Sequence, residues 1–261
     1  MAPRFYLDAP LRAGGVCTLS EDAAHHAIHV LRLREGEEVT LFNGRGGEYA
    51  ARIASMQRLR IALDVLQHRP VERESPLRVT LVQAMSAGDK MDSTLRKAVE
   101  LGAAAIQPVL ATRSVARPKG DRAESRHAHW RKVAIAACEQ CGRNRIPEVH
   151  PLVALSDYRA PDEAHKILLS PRAESALSKV ARGETLVLAA GPEAGFTEEE
   201  EARLVAEGFL PASRGPRPQR WRRSPRSARC GAIPSDQLGE ALVAVGTREI
   251  DCVAPPEVAR R

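Results

Sequence analysis

Apolar and polar positions change rhythm near residue 76. Before it, short alternating runs dominate. Val39–Phe42 leads through Asn43-Gly44 and a glycine-rich loop into Glu48–Ile53, which is a hairpin signal, and Arg60–Leu66 supplies another alternating strand. One helix interrupts them: Ser20 caps it, and Ala23–Arg32 carries it towards Gly36. The pattern over residues 1–70 predicts a small β-barrel with one helix. Residues 71–76 change composition and read as a linker. From Leu77 onward, apolar runs of strand length (Leu77–Gln83, Ala105–Leu110, Ile167–Ser170, Thr185–Ala190) alternate with amphipathic stretches. Gly88–Gly102 reads as loop and helix closed by glycine, and His127–Cys141 as a helix ending at Gly142. Strands alternating with helices imply an α/β domain over residues 77–217, with a parallel sheet covered on both faces.

The last strand opens the most informative stretch. Thr185–Ala190 breaks at Gly191-Pro192, passes Glu193 and Ala194, and reaches Gly195-Phe196 before Thr197. Glu200 stands three residues after Thr197, the spacing of a capping box, and four glutamates in the first turn suit the positive end of the helix dipole. A strand, a glycine loop and a helix place the loop at the carboxyl edge of the sheet, where ligands bind in open α/β folds. An ordinary βα turn has the same local pattern. Phosphate is disfavoured, since the loop holds no Lys or Arg and Glu193 repels it.

A net charge of +6 favours an anionic partner, with nucleic acid the first candidate. No apolar run reaches membrane-spanning length and the first residues lack a signal-peptide core, so the expectation is a cytoplasmic protein without a membrane partner. Cys138 and Cys141 form a C-x-x-C, but no second pair or histidines at ligand spacing accompany it. Packing cysteines are the expectation, and no metal. His25 and His29 share a helical face without the glutamate of a metalloprotease site. With Arg4, Arg12, Arg32 and Arg34 they fit either a basic face along a phosphate backbone or a solvated helix face.

Three separated segments carry a resemblance. The first is Lys90-Met91-Asp92 with Lys97, Glu100-Leu101-Gly102, Ile106 and Pro108. The second is Arg113-Ser114-Val115, Trp130, Glu139-Gln140-Cys141-Gly142-Arg143 and Ile146-Pro147; the third is Gly191–Phe196. Together they resemble the ribosomal RNA small subunit methyltransferase E family, and Arg4-Phe5 with His25-His26 and Val30-Leu31-Arg32 resembles its PUA-like RNA-binding domain. The resemblance covers about residues 1–217. It implies a SPOUT-type α/β domain with a C-terminal trefoil knot, preceded by the PUA-like β-barrel. It also implies a homodimer that uses S-adenosylmethionine to methylate N3 of a uridine in small-subunit rRNA, free or in the assembled small subunit. The implied cofactor loops are Leu169-Ser170-Pro171, Gly191-Pro192-Glu193-Ala194-Gly195-Phe196, and a third beginning at Gly215-Pro216-Arg217. The expected RNA contacts are Arg4, His25, His26, Arg32, Arg34 and Arg113.

Uracil N3–H must lose its proton for methylation, so a nearby carboxylate and cationic donors for the charge on O2 and O4 are expected. Glu139, Gln140 and Arg143 are the candidates, with helix capping and packing as the alternative role. Past Arg217 the family pattern stops. Between Glu207 and Asp236 stand seven arginines and no acid, with prolines at 211, 216, 218, 225 and 234. Neither an amphipathic helix nor a buried strand fits this composition. Synonymous codons for Trp221–Cys230, read two bases out of phase, encode Glu-Thr-Val-Ala-Ala-Leu-Gly-Ala-Met, the kind of run the family has there. A shifted reading frame is therefore expected over residues 218–261 in preference to an evolved basic arm.

Overall fold

The computed structural model describes residues 2–58, 60–177 and 183–213. The chain divides into two compact units, one of Met1–Glu74 with Ala134–Ile146, the other of Ser75–Val133 with the chain from Pro147. The segment of residues 134–146, expected in the α/β domain, thus packs with the N-terminal unit.

The first unit is built on β1 (Arg4–Tyr6), β2 (Val16–Thr18), β3 (Glu38–Phe42), β4 (Glu48–Gln57) and β5 (Arg60–Arg69), in sheet order β1-β3-β4-β5-β2. β1 runs parallel to β3 and the other pairs are antiparallel. Alternate side chains point inward, so Phe5, Leu41, Ile53, Ile61 and Leu63 form its core. Helix α1 (Glu21–His25) starts where Ser20 Oγ accepts the Ala23 N–H at 3.3 Å. It widens into a π-helical turn at His26–Val30, and Arg32 takes a left-handed φ of 54°. The helix expected through Arg32 therefore stops two residues earlier.

Residues 134–146 are held in this unit by buried polar bonds. Arg4 donates to Glu48 at 2.7 Å and to Asn144 Oδ1 at 2.7 Å, while Asn144 Nδ2 donates to the Val71 carbonyl at 2.8 Å. Arg73 donates to Glu48 at 2.8 Å and to the Gly142 carbonyl at 3.2 Å. Burial opposes ionisation of Glu48, but the hydrogen bonds from Arg73 and Arg4 prevail and lower its pKa to about 2.

The second unit carries β6 (Arg78–Ala84), α2 (Gly88–Glu100), β7 (Ala105–Leu110), and α3 (Asp121–Cys141) up to Val133. It continues with β8 (Glu148–Val149), β9 (Val153–Ala154), β10 (His165–Leu169), β11 (Thr185–Ala190), α4 (Glu198–Ala206) and β12 (Leu210–Ala212). The sheet order is β12-β10-β11-β6-β7-β8, with β9 also on β7, and every pairing is parallel. Five consecutive residues of β11 are buried, as a parallel strand covered on both faces requires. The α/β expectation stands, although α3 begins six residues before the predicted start and the short β8, β9 and β12 were not predicted. Gly215–Arg217, the expected knot-forming segment and the 218–261 tail lie outside the described residues.

Candidate cofactor site

Four neighbouring strands deliver their carboxyl ends to one edge of the sheet. Leu169 pairs with Ala190, Ala190 with Gln83, and Ala84 with Val109, so the loops after β10, β11, β6 and β7 emerge together. This edge is where open parallel sheets bind ligands.

The central loop is Gly191–Phe196. Gly195 adopts φ 70°, which a glycine takes at no steric cost. A Cβ on Gly191 would lie 2.8 Å from the Phe196 nitrogen and 3.0 Å from Gly195 backbone atoms. The loops after β6 and β7 then grip this one. Gln83, buried at the end of β6, donates to the Gly191 carbonyl at 3.2 Å. The Ala87 N–H donates to Glu193 at 3.0 Å, and Lys90 stands 3.5 Å from the same oxygen. Arg113 donates to the carbonyls of Ala194 at 3.1 Å and Phe196 at 3.2 Å.

The helix behind the loop is fixed as its sequence predicts. Thr197 Oγ1 accepts the Glu200 N–H at 3.2 Å, and Glu200 accepts the Thr197 N–H at 2.9 Å. The other Glu200 oxygen accepts the Thr112 N–H at 2.7 Å, tying in the loop after β7. Ser170, buried after β10, donates to the Glu201 carboxylate at 3.3 Å, and Arg172 pairs with Glu198 and Glu201. Replacing Thr197 with alanine should cost about 1 kcal/mol, as for other caps, or about 2–4 °C in Tm. Glu200→Ala should cost more, because it also frees the Thr112 N–H; equal melting temperatures for the two variants would refute this linkage.

Burial works against the charge on Glu193, but the Ala87 N–H, the loop's own backbone and Lys90 hold its carboxyl below the usual range. Its second oxygen is buried and has no hydrogen-bond partner among the described residues. The loop cluster thus offers backbone, small side chains and one ionised acceptor. That suits a ligand with hydrogen-bond donors or positive charge, and does not suit a phosphate.

The structure brings Leu169, Ser170 and Pro171 to the same edge as Gly191, Pro192, Glu193, Ala194, Gly195 and Phe196, while Gly215, Pro216 and Arg217 lie outside the described residues. One expected RNA contact needs correction. Arg4 is bound within the Glu48–Asn144 network with its side chain 6% exposed, so no phosphate reaches it. Arg113 donates from Nη1 to the glycine-loop carbonyls while its side chain stays exposed, so it clamps the loop and its RNA contact remains an expectation. His25, Arg32 and Arg34 are exposed and His26 is half-buried, with the His25 and His29 rings 4.5 Å apart. Glu139 accepts the Tyr6 N–H at 2.9 Å and Arg143 pairs with Glu74, both within the N-terminal unit; Gln140 is exposed. Gln83 and Glu200 were missed as loop clamps, although a glutamine closing an apolar strand was a visible signal.

Residues 73–222 match the RNA methyltransferase domain family, and residues 19–66 match the RNA methyltransferase PUA domain family. The chain is 29% identical over 218 residues to the ribosomal RNA small subunit methyltransferase E of Buchnera aphidicola subsp. Schizaphis graminum, covering 82% of this chain and 89% of that one. It is 28% identical over 219 residues to the Bacillus subtilis protein of the same name, covering 80% and 86%. Among solved structures, the ribosomal RNA small subunit methyltransferase E from Neisseria gonorrhoeae, bound to S-adenosylmethionine, superposes with a TM-score of 0.82 at 34% identity, over 95% of this chain and 98% of that one. A Legionella pneumophila methyltransferase in complex with S-adenosylmethionine gives 0.85 at 31% identity, over 95% and 98%.

Proposed function

The chain belongs to the RNA methyltransferase family, and on that premise we propose that it methylates N3 of a uridine in small-subunit (16S) ribosomal RNA, using S-adenosylmethionine. The reading extends to a cytoplasmic homodimer with a C-terminal trefoil knot, acting on the rRNA or the assembled small subunit. The observation that carries it is the clamped Gly191–Phe196 loop, with the buried, unpartnered Glu193 oxygen beside it. S-adenosylmethionine bears an ammonium, two ribose hydroxyls and a sulfonium, so its chemistry fits that acceptor.

When bound, the cofactor supplies an electrophilic methyl group. The chain's own residues would hold and orient it: the Leu169–Pro171 turn and the Gly191–Phe196 backbone at the shared sheet edge. Glu193, kept ionised by its neighbours, is a weak base and a good acceptor, so its part is orientation. Burial raises the Glu139 carboxyl, against the pull of the Tyr6 N–H, His26 and Arg4. Its bond to Tyr6 and the pairing of Arg143 with Glu74 make both of them positioning residues of the N-terminal unit in this reading.

The composition after Glu207 favours a second reading, an RNA-binding protein of the same ancestry whose chemistry is impaired. Labelled-methyl transfer to small ribosomal subunits and to tRNA, followed by nucleoside analysis, separates the readings. It should be run on this chain and on a version rebuilt in the shifted frame from residue 218. N3-methyluridine in small-subunit rRNA is the expected product. Cofactor binding without transfer by either chain would favour the impaired protein, and transfer to tRNA alone would replace the substrate.

A further inference from the structure

The methyltransferase unit carries a second cleft, of about 680 Å³, walled by Arg117, Asp121, Arg122, Ser125, Arg126 and His129 among others. Three guanidinium groups face one carboxylate there. Arg122 and Arg126 lie at i and i+4 on α3, where like charges destabilise a free helix, and an anion between them reverses the sign. Neither has a hydrogen-bond or ion-pair partner among the described residues. Arg117 is pinned by its own donations to the carbonyls of Ala111 at 3.1 Å and Thr112 at 2.6 Å. His129 is oriented by Asp92, 2.7 Å from its Nε2. The cleft is therefore partly pre-built, with two free cations and two groups locked in place.

Its position gives it a purpose. Arg117 also lines a cavity of about 620 Å³ together with Thr197, Glu199 and Glu200, at the start of the helix behind the glycine loop. Arg117 thus lines both hollows, and Glu199 and Glu200 make the second one acidic, so a backbone phosphate is expected in the arginine cleft and not beyond it. Guanidinium forks bind phosphate bidentately, and the one ring in the cleft lining, His129, is tied to Asp92. We propose that Arg117, Arg122 and Arg126 form a backbone-phosphate subsite for the substrate RNA strand, one that positions without reading sequence. This rests on the reading of the chain as an RNA methyltransferase.

The test titrates the full-length chain with a single-stranded oligouridylate at several salt concentrations, beside R122A/R126A and R122K/R126K. Each phosphate contact on a single strand contributes about 0.7 to the slope of log affinity against log salt. The alanine variant should lose about 1.4 from that slope, with S-adenosylmethionine affinity retained, and the lysine variant should keep the slope. An alanine variant with the parental slope and RNA affinity overturns the subsite. If neither the parent nor the version rebuilt from residue 218 transfers a methyl group to small ribosomal subunits, the functional reading fails, while the slope comparison still decides the subsite.

Discussion

Gly191→Ala should weaken S-adenosylmethionine binding by about a hundredfold while the sheet stays folded. The added methyl would sit 2.8 Å from the Phe196 nitrogen and 3.0 Å from two Gly195 backbone atoms, and a backbone cannot swing aside as a side-chain tip can. Forcing it in costs about 1–3 kcal/mol of strain, and about 1.4 kcal/mol is a factor of ten in affinity. The loop has little room to yield. Gln83 holds its first carbonyl, Ala87 holds Glu193, and Arg113 holds the carbonyls of Ala194 and Phe196, so opening the turn breaks those bonds as well. Gly195→Ala is the milder companion: its φ of 70° penalises an L residue by about 1–2 kcal/mol, so a loss nearer tenfold is expected. Calorimetric titration with circular dichroism on both variants is the check. Parental affinity in a folded Gly191→Ala protein would remove this loop from the cofactor site.

The largest expected stability effect lies in the other unit, at Glu48. Its carboxylate, with the side chain 8% exposed, is bound by Arg4 and Arg73, and the Arg4 side chain is itself only 6% exposed. Glu48→Ala leaves that arginine buried without its carboxylate, with only the neutral acceptors Asn144 and the Arg143 carbonyl, and breaking such pairs costs about 3–5 kcal/mol. The same pair gives an acid dependence whose sign is fixed. The carboxyl's pKa falls from 4.5 in the free residue to about 2 in the fold. Its stabilisation is therefore complete above about pH 4.5, and about 3 kcal/mol is lost as the pH falls towards 2. Glu48→Gln should be less stable at pH 7 and should lack this share of the acid loss. Urea unfolding of both proteins at pH 7 and pH 3 measures it; an equal acid loss in the glutamine variant would move the effect to other carboxylates.

What could be read from the chain alone follows the range of the interactions involved. The strand at Thr185–Ala190, the turn after it and the capping box at Thr197 and Glu200 depend on residues within a few positions, and all three appear as expected. The early start of α3 at Asp121 was hidden because the segment before His127 is polar and has no apolar period. Glu193 was read as a group that repels phosphate, and its bond to the Ala87 N–H needs the pairing of β6 with β11. Arg4 was taken for an RNA contact and the loop-clamping bonds of Arg113 were missed because a charge in sequence looks solvated until its acceptor is known. Their acceptors lie 44 residues away at Glu48 and 81 away at Ala194. The partition of residues 134–146 was illegible for the same reason: Asn144, fully buried, takes its bonds from Arg4 and gives them to Val71.

That partition has a consequence during synthesis. The N-terminal unit needs Gly142, Arg143 and Asn144 to satisfy Arg4, Arg73, Glu74 and the Val71 carbonyl. A ribosome that has just finished Glu74 must add the whole Ser75–Val133 stretch, and then Ala134–Ile146, before those partners exist. At roughly 5–20 residues per second this is a wait of about 4–14 s. For that interval the Arg4–Glu48–Arg73 pairs have all their members, but the bonds to Gly142, Arg143 and Asn144 do not. The unit's completion is thus timed by translation of a segment that belongs mostly to the other unit.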